Sequence, residues 1–219
     1  MHFHLPKPFN GWREFGKEYG IIVLGVLTAL AFEQAVESLH WHSEVRETRA
    51  ALRQEIAHDL GALKSLEIEN GCIDQRLDAL DRWAASGDRP LARPSRTPLL
   101  LTIRSSAWEV AKTGQAASHF PLEERLSYAR MYDLLSNQWT FIQSERAAWF
   151  RIDALANSGM RDADHLARVR DAVADAREIG GIRLRNRYFV DPVADELGLK
   201  PDKLPWPPGH SAGELCKPI

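Results

Sequence analysis

The chain has 219 residues, a formal charge of −2 from 28 basic and 30 acidic side chains, and two cysteines. That length suits one domain with a proper core, or a small domain plus tails. The near-even charge excludes the basic footprint of a nucleic-acid binder, and two cysteines exclude a disulfide framework or a cysteine-built zinc site.

In chain order, residues 1–18 read as a short amino-terminal arm in which Pro6 and Pro8 prevent a regular helix. His2 and His4 offer a chelating pair with the amino terminus, but two histidines in an open tail are ordinarily solvated. Residues 19–41 follow as a membrane-spanning helix with its interface. Between Glu18 and Glu33 no residue is charged, which gives about 21 Å of helix at about 1.5 Å per residue. The run is short for a span, so its flanks matter. Trp12, Phe15 and Tyr19 stand before it and Leu39 and Trp41 after it, as in the aromatic belts at bilayer interfaces. Ile21, Ile22, Val23, Leu24, Val26, Leu27, Leu30 and Phe32 together favour insertion by about 2–5 kcal/mol.

A cleaved signal peptide competes with this reading, with Lys7, Arg13 and Lys17 as its basic region and Ala29-Leu30-Ala31 as its cleavage site. Glu14, Glu18 and an unbroken helical pattern past Ala31 favour an uncleaved anchor over that reading and over a buried soluble helix. Arg13 and Lys17 precede the run closely while the next basic residue is Arg46, so the positive-inside rule predicts a cytoplasmic amino terminus. Gly16 and Gly20, and Gly25 and Ala29, follow a small-xxx-small spacing that lets two helix backbones approach, a face for homo-oligomerisation; small residues are also common in membrane helices that do not pair.

The stretch from Trp12 to Ile56, WREFGKEYGIIVLGVLTALAFEQAVESLHWHSEVRETRAALRQEI, resembles the opening of a group of uncharacterised bacterial single-pass membrane proteins. There a W-x-E-F-like start leads into an I-V-L-G-V-L-x-A-L membrane helix and an acidic juxtamembrane helix. The resemblance implies a bacterial inner-membrane anchor and supplies no catalytic residue.

Residues 42–198 are expected to form an antiparallel α-helical bundle, continuing directly from the membrane helix. Val45, Leu52, Ile56, Leu60 and Leu63 draw one apolar stripe. Asn70-Gly71 predicts a stop, and Ile73 to Ala85 a second helix folding back on the first. Residues 86–98, with three prolines, read as a loop. Thr97-Pro98 predicts the start of a helix over Leu99–Lys112. Pro121 opens a long helix to about Asn157, with Tyr132, Leu135, Trp139, Ile142, Trp149 and Ile152 in its stripe. Asp162 caps another to about Ile179; Gly180-Gly181 predicts an interruption and Asp191-Pro192 a short restart. Residues 199–219 read as a Pro-rich tail. Cys72 and Cys216 stand open between one bridge, if the domain is exported, and two free thiols.

Candidate chemistry is sparse. His40 and His42 diverge on a helix, and Glu55-Ile56-Ala57-His58 is a lone Glu-x-x-His where a di-metal bundle needs two, so no metal and no cofactor are expected. There is no nucleophile elbow and no phosphate loop, which predicts a non-enzymatic role. The one ligand candidate is Arg146 with Tyr132 and Trp139, an arginine in an aromatic groove suited to a small anion; its structural counterpart is an ion pair with an acid such as Glu109. The Arg183, Arg185, Arg187 cluster reads as a solvated face. The expected function is a membrane-anchored interaction or scaffold module whose partners are the bilayer and a protein. The alternatives are a tethered sensor for a small anionic ligand and a secreted protein with a cleaved signal. A packed core at Arg146 favours the scaffold, and a cavity there without an acid favours the sensor.

Overall fold

A computed structural model describes residues 11–87, 90–91, 97–98, 101–203 and 216–218. The protein is all-α: α1 (Trp12–Ser86), α2 (Ser106–Thr113), a 3₁₀ turn (Ala116–His119), α3 (Leu122–Ala156) and α4 (Ala163–Glu196). No strand occurs among the described residues. The chain divides into two compact units at Glu47. His2, His4, Lys7, Leu99 and Leu100 lie outside the described residues.

The first unit is the amino-terminal part of α1. It contains an 18-residue window apolar and long enough to cross a membrane, none of it buried against protein. Gly11, at φ +94°, turns the chain into the helix and its carbonyl accepts from the Glu14 and Phe15 N–H groups. Within this part of α1 the Thr28 hydroxyl donates to the Leu24 carbonyl at 2.7 Å, so this polar group is satisfied inside the helix.

The second unit is a bundle of three long helices. Ion pairs give their directions. Arg49–Glu124 and the Tyr132–Glu55 hydrogen bond rise in step, so α1 and α3 are parallel. Arg170–Asp81 and Arg177–Asp78 run in opposite order, so α4 is antiparallel to α1, and Arg130–Glu196 with Arg151–Asp175 makes it antiparallel to α3. One core cluster joins Ile73, Leu77 and Leu80 of α1 to Trp149 and Ile152 of α3 and to Val169, Ala172, Val173 and Ala176 of α4. The small residues on α4 recur at steps of three and four, which lets that helix approach the other two closely.

Several sequence expectations are corrected. Asn70-Gly71 does not end α1, which continues to Ser86. A glycine in a helix costs about 1 kcal/mol, and the buried Leu66, Glu69 and Ile73 hold the turns on either side of it. The expected second helix over Ile73–Ala85 is therefore the same helix, and the antiparallel neighbour is α4. Helix α2 starts at Ser106 rather than beside Thr97-Pro98, because the Thr97 hydroxyl donates to the Asp153 carboxylate and two acids on α1 take the amide groups farther along. Gly180-Gly181 and Pro192 both lie inside α4. Asp162 does cap that helix, accepting from the His165 N–H at 2.9 Å.

Cys72 and Cys216 are bridged. Near that bridge Arg76 Nη2 donates to the Lys217 carbonyl at 2.8 Å, and the Asp202 N–H donates to the Ala57 carbonyl at 2.9 Å. Both ends of the expected tail thus touch α1. Arg183 is not on a solvated face: it is 3% exposed and its Nε donates to Glu145 Oε2 at 2.6 Å.

Candidate functional site

The apolar residues expected to form the membrane anchor, Trp12, Tyr19, Ile21, Ile22, Leu24, Val26, Leu27, Leu30 and Phe32, are exposed, with Val23 and Trp41 half-buried. Trp41 Nε1 donates to Glu37 Oε1 at 3.3 Å, and Phe15 stacks on Tyr19 with centroids 6.1 Å apart. Gly16, Gly20 and Gly25 have open space where a Cβ would stand, and Ala29 is exposed, so this face is sterically free.

In the bundle, α1 carries two buried carboxylates one turn apart, Glu55 and Asp59, beside Leu52, Ile56 and Leu60. Both Asp59 oxygens accept from the Arg104 N–H at 3.1 Å. Glu55 accepts from the Ala107 N–H at 3.0–3.1 Å, from the Ser106 hydroxyl at 2.7 Å and from the Tyr132 hydroxyl at 2.9 Å. The pair thus supplies from α1 the capping that α2 lacks locally, since Ser105 makes no side-chain cap. Burial pushes Glu55 up, but the hydrogen bonds from Ala107, Ser106 and Tyr132 outweigh it and leave the carboxyl below its usual range. Burial raises Asp59 to about 7, because only Arg104 answers it and the Glu55 charge stands nearby. Burial and the Glu55 hydrogen bond also raise Tyr132, keeping its hydroxyl a donor. His58 is held below its usual value by burial and then by Arg104. The carboxylate lone pairs are directed at the chain's own amides, which is anchoring chemistry.

The sequence-predicted trio is only partly assembled. Tyr132 and Trp139 line one cleft of about 250 Å³ with Arg104, Trp108, Lys112 and Asp133. Trp108 stacks on Tyr132 at 5.2 Å and 8°. Arg146 is not among the lining residues. Its guanidinium lies 5.4 Å from the Trp139 ring centroid, and Nη2 donates to the Leu101 carbonyl at 2.8 Å. The space beside Arg146 is a separate crevice of about 20 Å³, next to the acid Glu145. Glu109 does not pair with Arg146 but with Lys112, at 2.8 Å.

Among the buried residues of α3, Leu135, Gln138, Ile142, Glu145, Trp149 and Ile152 follow one another at alternating steps of three and four. The core charge is therefore Glu145, and Arg146 is one position off the seam. Gly180 makes room for it: a Cβ there would stand 3.0 Å from Glu145 Oε1. That seam, with Arg183 more than five turns into α4, was the signal available in the sequence for the pair. No group of three or more His, Cys, Asp or Glu side chains poised to hold a metal occurs among the described residues. Comparison with known proteins gives no family model, no curated sequence and no solved structure that matches this chain.

Proposed function

We propose that the chain is a membrane-anchored helical-bundle interaction module. Residues 19–41 hold it in a bacterial inner membrane, with the amino terminus cytoplasmic and the bundle extracytoplasmic. The observation that carries this reading is the exposed apolar window of α1: in water it would leave a continuous sleeve of hydrocarbon uncovered, and a bilayer covers it at no backbone cost, because a helix satisfies its own amides. The orientation draws support from Arg13 and Lys17 beside the run and from the Cys72–Cys216 bridge, which belongs to an oxidising compartment. An interaction role is favoured over chemistry because the buried carboxylates serve the chain's own backbone and the Arg146 head is engaged by Leu101.

Fractionation of the full chain in bacteria with an alkaline wash, followed by protease applied from the outer side, tests the proposal. Retention in the membrane, with digestion of the bundle only after the outer barrier is opened, is the expected result. A shortened soluble product beginning near Phe32 would replace the anchor with a cleaved signal.

A second reading, a tethered sensor for a small anion, draws on the 250 Å³ cleft. There Arg104 and Lys112 stand where Arg146 was expected to act. Quenching of tryptophan fluorescence by a panel of small carboxylates and phosphates, lost in Arg104→Ala, is its test.

A further inference from the structure

Three polar atoms on one stretch of α3 are buried and have no hydrogen-bond partner among the described residues: Glu145 Oε1, Arg146 Nε and Trp149 Nε1. Their residues line the same crevice, together with Leu66, Ile142, Thr97 and Pro98. Residues 145 and 149 are one helical turn apart and so share a face, with 146 at its edge. Glu145 and Trp149 are 5% and 1% exposed, so bulk solvent does not satisfy them. Leaving such groups unmatched carries their full desolvation penalty.

The chemistry of the set selects its ligand. Two N–H donors exclude a cation, and a carboxylate oxygen excludes an anion. What fits is a small neutral group that accepts twice and donates at least once. The crevice is about 20 Å³, and one water needs about 10–15 Å³ with two to four polar partners. We propose that this crevice is a built hydration site: one resident water accepts from Arg146 Nε and Trp149 Nε1 and donates to Glu145 Oε1.

The water completes a chain of hydrogen bonds. Arg183 on α4 donates to Glu145 Oε2, the water joins Glu145 to Arg146, and Arg146 donates to the Leu101 carbonyl. The Thr97 hydroxyl donates to Asp153 beside it. The core ion pair is thereby linked to the Leu101 backbone, while Thr97, which lines the crevice, is held on α3 by Asp153.

The test is water cross-relaxation to indole N–H protons in the full chain, labelled with ¹⁵N-tryptophan and held in detergent micelles. Of the seven tryptophans, Trp149 is identified by loss of its resonance in Trp149→Phe, or by through-bond assignment if that variant does not fold. The expected result is cross-peaks of opposite sign in the laboratory and rotating frames, the signature of a water tumbling with the protein, persisting in Thr97→Val and lost in Arg146→Lys. Absence of the Trp149 peak, peaks of equal sign, or loss in Thr97→Val, which would mark relay through that hydroxyl, each overturns the proposal.

Discussion

Asp59 gives the bundle a pH dependence that can be worked out in advance. It is fully buried, its two oxygens share one amide donor, and its carboxyl is raised from 3.8 to about 7. A carboxyl raised on folding binds a proton in the folded state that the unfolded state has lost. Its contribution to stability is therefore complete below the unfolded value, falls by about 1.4 kcal/mol per pH unit above it, and levels off beyond about pH 7. Between about pH 5 and pH 8.5 the loss amounts to about 2.5 kcal/mol. Glu55, lowered on folding, contributes stability that is lost only as pH falls through its own range, below that window. His58, lowered on folding, adds stability as pH rises toward its ordinary value and so partly offsets Asp59 at the acid end. Comparison with Asp59→Asn removes that overlap, because asparagine keeps a carbonyl for the Arg104 N–H and does not titrate. Urea unfolding of both proteins in micelles at several pH values gives the difference curve. The wild type should lose about 2.5 kcal/mol relative to Asp59→Asn across the window. Parallel curves would refute the buried, uncompensated carboxylate as described, whatever the constant offset between the two proteins.

Further outcomes follow from other parts of the bundle. Reducing the Cys72–Cys216 bridge releases a loop of sequence separation 144. Such loops are worth about 2–4 kcal/mol, so Tm by scanning calorimetry should fall by about 5–15 °C, a shift matched by Cys72→Ser. Gly180→Ala puts a methyl group against the Glu145 carboxylate that Arg183 holds in place. It should destabilise by about 1–3 kcal/mol in denaturant unfolding, despite the better helix former. Gly181→Ala meets only the end of the exposed Arg185 side chain and should be neutral or stabilising by up to about 1 kcal/mol. Leu27→Arg adds about 3 kcal/mol at mid-span to an anchor worth about 2–5, and should move much of the protein into the alkaline-wash supernatant.

The parts of the fold legible in the sequence are those where local pattern and tertiary packing agree. Pro121 and Asp162 mark the starts of α3 and α4, and the stripe from Leu52 to Leu63 marks the buried face of α1. The misread points share a physical cause. At Asn70-Gly71, at Gly180-Gly181 and at Pro192, local propensity argues for a break costing from about 1 to about 3 kcal/mol, and packing on both sides outweighs it. The start of α2 was hidden because its amides are satisfied by acids about 50 residues away, Glu55 and Asp59, which no local capping pattern records. At the candidate site the aromatic members were legible, since Tyr132 and Trp139 do line one cleft. The arginine was not: a stripe read through Trp139 and Arg146 runs one residue off the seam that carries Gln138 and Glu145.

The bridge between Cys72 and Cys216 also determines what a protease can release. Everything from α2 to the end of α4 lies between the two bonded residues. A single cut anywhere in that interval leaves both pieces covalently joined, and on a non-reducing gel the protein keeps its full 24.7 kDa. A cut between Trp41 and Thr48 frees the bundle from the apolar segment as one body. Shedding and damage therefore leave different marks: the first changes the mass without reductant, the second only with it.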